Sequence, residues 1–393
     1  MYTAERQRSQ PYLQRVAGPL YEQWYLLHHR IVRVVTNHPV IADHVRSYLY
    51  YAELLAEYTY EETARLPVSI PERVLWQTGQ RAYRAVALTC YLFETGAAES
   101  FPPAVVPPRP EESVWDEIGG VTGPKRARWQ TEQWRFREYQ AYPGVTSRVY
   151  SLLNKEDLYG TVYIEDVSQC APWFLMRFVF YMVLGAMISY SGYEAVHAGA
   201  VAQDGAAAML VGSPTSGKTT LVLSCLHLGM QYLADDVLFL AEDDGLIRVY
   251  AFPEDIGVRS GTVDLLGQHE FMRGLTADER EKRYVYAQQH FCQQVIGAAP
   301  VNLLLFIHAE DRAAAFRAEQ LPPSQVVSLL LQEYISRQEA QGRPVDKIFA
   351  LFNELALQAP AYRLWLTPDT GLNALQVRAL LMQAKLGPAA RVD

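Results

Sequence analysis

Cysteine is scarce in this chain, and none of it is paired in sequence. Cys90, Cys170, Cys225 and Cys292 are scattered over 393 residues with no C-x-x-C spacing. That argues against a structural zinc site and a disulfide framework, and it fits a reducing cytoplasm. Positive charge is also short. The 35 Lys and Arg face 43 Asp and Glu, for a net charge of −8. A nucleic-acid partner wants a basic face, so none is expected. The opening stretch MYTAERQRSQ has no apolar run of the secretory type, and no repeat or low-complexity tract is visible. The one long hydrophobic run, Trp173–Tyr190, is 18 residues with a single charge, Arg177. A bilayer span wants about 20 apolar residues. The short connection Ser191–Ala195 to the unit that follows favours a helix buried between a sheet and the N-terminal half over a membrane anchor.

A chain of this length can bury a large core and splits into about two domains. It is rich in aromatics, with 25 Tyr and 7 Trp. Its most informative stretch is Gly212-Ser213-Pro214-Thr215-Ser216-Gly217-Lys218-Thr219, a complete G-x-x-x-x-G-K-[ST] phosphate loop (P-loop). The apolar run Ala206–Val211 before it reads as a buried strand, and Thr220–Leu228 after it reads as a helix. A loop so placed aims successive backbone N–H groups and the positive end of the helix dipole at one spot. Gly212 and Gly217 permit backbone conformations and close approaches that a side chain would block. Lys218 can reach the β- and γ-phosphates, and the Thr219 hydroxyl can ligate Mg²⁺. Together with Thr220 these residues form the expected nucleotide cradle.

Arg30–Thr36 reads as a strand, Pro39–Leu55 as a helix, and Pro71–Gly96 as containing a second helical stretch. Phe101–Pro110, with five prolines, must be extended or a linker. Trp115–Tyr142 is charged and Trp-rich, and is expected to be exposed in part. Gly160–Glu165 reads as a strand. These signals place a domain boundary near residue 155, although the early strand and helix could pack on the later sheet.

Val196–Gln203 and Ala206–Val211 are two apolar runs joined by Asp204-Gly205, a strong two-residue hairpin signal. A tight turn pairs Gln203 with Ala206 and, counting outward, His197 with Gly212. That register would set an imidazole beside the phosphates. After the loop helix, Gln231–Asp236 ends a short apolar strand in two carboxylates, 17 residues beyond Lys218. A P-loop enzyme needs an acid for the Mg²⁺ shell, and transfer to a hydroxyl needs a base. Successive side chains on a strand point to opposite faces, so Asp235 and Asp236 can divide those tasks. Val237–Ala241, the turn Glu242–Gly245 and Leu246–Phe252 form a second hairpin. Antiparallel hairpins therefore flank the loop, unlike the mostly parallel core of common P-loop ATPases.

His197-Ala198-Gly199, the Asp204-Gly205 turn, the P-loop and Ala234-Asp235-Asp236 come in the order and spacing of the HPr serine kinase catalytic domain. The chain resembles still more the diverged HPr-kinase-related proteins. These include small-molecule serine kinases and kinases of ribosomal peptide precursors such as lasso peptides. The resemblance spans roughly residues 160–366, including Val301–His308, Ser324–Leu331 and Tyr362-Arg363-Leu364. It implies nucleotide phosphates on the loop and Lys218, Asp235 as base on the acceptor hydroxyl, and Mg²⁺ held by Thr219 and Asp236. His197 would orient the acid pair or the acceptor, and a basic residue such as Arg259 or one within Arg273–Arg283 would assist. The Glu-Arg-Gly-type signature of true HPr kinases is replaced by Tyr250–Thr262, and the N-terminal half has no counterpart in them. Both departures count against HPr itself as substrate.

The expectation is an α/β fold with a mixed central sheet, a P-loop and flanking hairpins (HPr kinase/phosphoenolpyruvate carboxykinase-like), with helices on both faces. Residues 156–393 would form that catalytic domain, and residues 1–155 an aromatic-rich α+β region that binds the acceptor or a partner. The expected activity is an ATP- and Mg²⁺-dependent transfer to a serine-type hydroxyl of a peptide, protein or small metabolite. A cytoplasmic location follows, and self-association is left open by the family's dimers and rings. The competing expectation is a regulatory or assembly protein in which ATP only sets conformation.

Overall fold

A computed structural model describes residues 19–60, 88–96, 114–117, 125–140, 146–252, 254–275, 282–308, 315–337 and 345–386. The protein is a mixed α/β chain that divides into two compact units, Met1–Gly192 and Tyr193–Asp393.

The first unit is built on β1 (Leu20–Leu27), β2 (Arg30–Thr36), β3 (Glu53–Tyr60), β4 (Leu88–Glu94), β5 (Val114–Glu117), β6 (Lys125–Gln130), β7 (Trp134–Gln140), β8 (Val149–Asn154) and β9 (Tyr159–Ile164). They form one sheet in the order β3-β1-β2-β4-β9-β8-β7-β6-β5. The β2–β4 and β4–β9 pairs are parallel, and the other pairs are antiparallel. Strand alternation collects Tyr91, Phe93, Phe136, Tyr150, Tyr159 and Tyr163 into one buried aromatic cluster. Among the described residues of this unit are the helices α1 (Pro39–Tyr48) and α2 (Pro172–Tyr190). By length and composition α2 could cross a membrane, but more than half of its apolar stretch is buried inside the structure. It packs on β4, β8 and β9.

Three expectations change here. The division falls at Gly192, not near 155, because β9 pairs with both β4 and β8 and so completes the first sheet. The helix expected over Pro39–Leu55 stops at Tyr48, and Glu53–Tyr60 is a strand paired with β1. Of Pro71–Gly96, where a second helical stretch is expected, Leu88–Glu94 is a strand, and 71–87, where that helix would have to lie, are outside the described residues. The early strand β2 lies inside the first sheet, between β1 and β4. The proline-rich 101–110 stretch also lies outside the described residues. The Trp-rich 115–142 stretch contributes β6 and β7, and its first residues belong to β5.

The second unit contains β10 (Glu194–Val196), β11 (Gly199–Gln203), β12 (Ala206–Val211), β13 (Gln231–Ala234), β14 (Leu238–Asp243), β15 (Leu246–Tyr250), β16 (Ile256–Val258), β17 (Arg283–Val285), β18 (Ala298–Ile307), β19 (Arg317–Leu321) and β20 (Ala361–Trp365). Its main sheet runs β10-β14-β15-β18-β12-β11-β13, with β20 and then β19 added beside β18. The ten-residue β18 is long enough to use one edge twice. Its first residues pair with β15, and Leu304–Ile307 pair with β20. The β12–β18 and β18–β20 pairs are parallel and the rest antiparallel, so the sheet is mixed.

Both faces of this sheet are covered, which is why β12 reads as an unbroken apolar run, AAAMLV. Ala206, Ala208 and Leu210 face the cluster built with α3 (Lys218–His227) and α6 (Thr370–Lys385). Ala207, Met209 and Val211 face the cluster built with α4 (Pro323–Arg337) and α5 (Val345–Gln358). With both faces packed, chemistry is left to the strand ends.

Candidate functional site

The hairpin that presents the glycine-rich loop is set by its turn. Asp204 and Gly205 have φ of 49° and 79°, the positive pair that a two-residue I′ turn demands. Pairing runs from Gln203↔Ala206 outward to Gly199↔Leu210, as counting from the turn requires. The ladder ends there. His197 and Ala198 lie between β10 and β11, because β10 leaves to pair with β14. The expected pairing of His197 with Gly212 is therefore not made. The imidazole sits at the acids instead, with Nδ1 3.1 Å from Asp236 Oδ1.

The loop passes from β12 to α3 through two positive-φ residues, Thr215 at 67° and Gly217 at 102°. Gly217 caps α3 in the left-handed region that a side chain disfavours. At Gly212 the need is for space. A Cβ there would lie 2.8 Å from Ser216 Oγ and 3.0 Å from the Ile307 carbonyl oxygen. The Lys218 ammonium folds back across the loop, donating to the carbonyls of Gly212 and of Ser213, the latter at 3.0 Å. The lysine is buried, at 7% exposure. Thr220 Oγ1 lies 2.9 Å from Thr262 Oγ1, tying α3 to the short helix Ser260–Leu266.

Asp235 and Asp236 follow β13, which reaches the loop by pairing with β11. Their environments differ sharply. Asp235 is buried and accepts a 3.1 Å hydrogen bond from Thr219 Oγ1. Its other oxygen, Oδ1, is buried and has no hydrogen-bond partner among the described residues. Burial, and then the neighbouring Asp236 charge, push its carboxyl up to about 7, against the opposing pull of Thr219, Lys218 and Lys282. The Asp236 side chain is 63% exposed and faces His197. The alternation expected of adjacent strand-end residues thus gives one buried and one open acid.

Lys218, Thr219, Asp235, Asp236 and His197 are brought together at one end of the sheet. Lys282 joins them through its charge on Asp235. It directly precedes β17, whose pairing with β16 sets its position. In sequence it was only one of several basic residues in the 273–283 run, and the nonlocal β16–β17 pair singles it out. Residues 276–281 of that run lie outside the described residues, and Arg259 and Arg273 are exposed.

No protein-family model matches the chain, and no curated protein matches it. Among solved structures, the HPr(Ser) kinase/phosphatase from Coxiella burnetii is similar over 49% of this chain and 91% of its own length. The identity is 14% and the TM-score 0.28. A likeness at that level carries no argument about roles, so the functional reading stands on the geometry of the site.

Proposed function

We propose that the second unit is an ATP- and Mg²⁺-dependent phosphotransferase acting on a serine-type hydroxyl of a peptide, protein or small metabolite. One observation carries the reading: a glycine-rich loop with its lysine and threonine stands against two acids, one of them hydrogen-bonded to that threonine. A turn that was merely glycine-rich would need no carboxylate buried against it.

The donor set fits Mg²⁺. Among the described residues, no group of three or more His, Cys, Asp and Glu could hold a metal ion. Mg²⁺ does not need one, since it takes one or two carboxylates and fills its shell with phosphate oxygens and water. A hydroxyl oxygen and carboxylate oxygens are the hard ligands it prefers. The buried Asp235 Oδ1, unpaired among the described residues, is a group that nearby positive charge would stabilise. When bound, the cation would neutralise charge on the transferred phosphoryl group.

In this reading the loop amides and Lys218 hold the phosphates. Asp235 accepts the proton of the acceptor hydroxyl, and a carboxyl pushed up to about 7 suits a base working near neutrality. Thr219 and Asp236 hold the metal shell, and His197 orients Asp236. Lys282 supplies the assisting positive charge. A second assignment has its own support. The Thr219–Asp235 hydrogen bond favours Asp235 as the metal-shell acid, which leaves the base to the open Asp236–His197 pair. The first unit, whose sequence carries no phosphate-binding pattern, is the candidate for binding the acceptor or a partner.

Separate measurements of turnover and affinity test this. ATP consumption should rise when a hydroxyl acceptor is supplied. In Asp235→Asn, lost transfer with retained ATP affinity assigns the base to Asp235. Lost affinity assigns it to the metal shell. ATP binding with no transfer to any acceptor, and no effect of either acid substitution, would leave a nucleotide-binding regulator instead.

A further inference from the structure

We infer that Arg317 and Trp365 form a stacking platform for the base of the bound nucleotide, a deepening that rests on the phosphotransferase reading above. The acids lie on one side of the loop-bearing strand, towards β11 and β13. The other side carries a different set of side chains. There β12, β18 and β20 run parallel, with Val211 beside Phe306 and Ile307 beside Leu364. Their C-terminal ends are therefore level with the loop. The Ile307 carbonyl oxygen approaches Gly212, and Leu366 Cδ1 lies 3.3 Å from where a Cβ on Gly217 would be. Trp365 is the residue just before Leu366. Its strand is two away from the loop's own, about 10 Å at sheet spacing.

At this end three planar groups converge. The Arg317 guanidinium carbon lies 3.5 Å from the centroid of the Trp365 ring. The His308 ring lies 5.3 Å from the same ring, tilted at 55°. Arg317 pairs with Trp365 across β19 and β20, so the strand register itself holds the guanidinium over the indole. Packing does not account for the arrangement, because Arg317 is exposed and Trp365 and His308 are only half-buried. A guanidinium already flattened on an indole offers its outer face to another flat π-system, and stacking of this kind accepts any base. In open α/β sheets, ligands bind beyond the carboxyl ends of the strands, which is where both the loop and this platform lie.

A comparison of ATP with inorganic tripolyphosphate, each titrated with Mg²⁺ into the full chain, isolates the base. Arg317→Ala and Trp365→Ala should each weaken ATP binding by about 5- to 150-fold, the worth of one stacked base. Tripolyphosphate binding should stay unchanged in both, while Lys218→Ala should lose both ligands. Arg317 is exposed on the edge strand β19, so its truncation tests the idea even if the Trp365 variant fails to fold. Equal ATP affinity in wild type and Arg317→Ala, with both ligands bound by wild type, overturns the platform alone. A wild-type chain that binds neither ligand overturns the nucleotide reading, and the platform with it.

Discussion

The two units treat charge in opposite ways. In the second, the faces of the main sheet are apolar and packed by helices, and ionisable groups gather where the strands end. In the first, ionisable groups sit within the sheet itself. Glu22 on β1 and Arg33 on β2 form a buried pair at 2.8 Å, with exposures of 0% and 8%, and Arg33 lies 5.3 Å over the Trp24 ring. Arg137 and Glu138, adjacent on β7, are buried as well. A buried ion pair contributes little net stability, but removing one partner strands a charge. Charge in the first unit is thus a structural commitment. In the second unit, only Asp235 and Lys218 are charged and buried among the described residues, and both belong to the candidate site.

That contrast can be broken by substitution, most severely at the acids. Asp235→Asn keeps the size and hydrogen bonding of the side chain and removes its charge. Phosphoryl transfer should fall by about 10²–10⁴, the range for a general base, with circular dichroism unchanged. The matching change in the first unit should act on folding. Glu22→Gln removes the carboxylate that Arg33 meets at 2.8 Å and should cost up to about 3–5 kcal/mol, read from denaturant unfolding. Replacing both partners with apolar residues of similar volume should recover most of that loss. A Glu22→Gln chain as stable as wild type would refute the structural account of the pair.

A subtler test uses pH. The folded-state pKa of Asp235, about 7, lies above the ordinary carboxylate value of 3.8. The folded chain therefore holds a proton that the unfolded chain has released between those values. The stability this contributes is fully present below about pH 3.8 and is lost as pH rises through about 7. In metal-free protein the slope from this group approaches about −1.4 kcal/mol per pH unit within that window. Asp235→Asn should flatten the profile there, and an identical profile in both proteins would count against the buried, raised carboxyl.

The smallest expected effect concerns Trp134, which stacks on Phe136 and meets Tyr159 edge-on at the margin of the aromatic cluster. If the first unit contacts the acceptor, Trp134→Ala should raise the acceptor KM several-fold and leave the ATP KM alone. Equal changes in both would assign Trp134 to packing. The Trp129 side chain lies outside the described residues.

Local signals in the sequence were legible because their physics is local. Asp204-Gly205 marks a turn where both residues take positive φ, and its hairpin forms with the register counted from it. The second hairpin forms too, but its turn is only Asp244-Gly245, and Glu242 and Asp243, read as turn residues, pair as strand with Ile247 and Leu246. The loop stands between strand and helix because those flanks are encoded beside it. What stayed hidden is nonlocal. The chain turns between β1 and β2 at His28 and His29, with φ of 50° and 57°, at a site with no glycine to announce it. The first sheet depends on parallel pairing of β2, β4 and β9, whose partners are far apart in sequence, and that displaced the domain boundary. Counting along one continuous strand sets His197 opposite Gly212. The chain instead breaks at 197–198, and the imidazole reaches Asp236 by a different route.

The central claim is that the loop, Lys218 and the acids form a nucleotide-phosphate site. Calorimetric titration of ATP·Mg²⁺ into wild type and Lys218→Ala tests it most directly. The account predicts saturable binding to wild type and a loss of at least about 100-fold in the variant, whose loop amides lack the lysine's charge. Equal affinities, or no heat of binding in wild type, would contradict it.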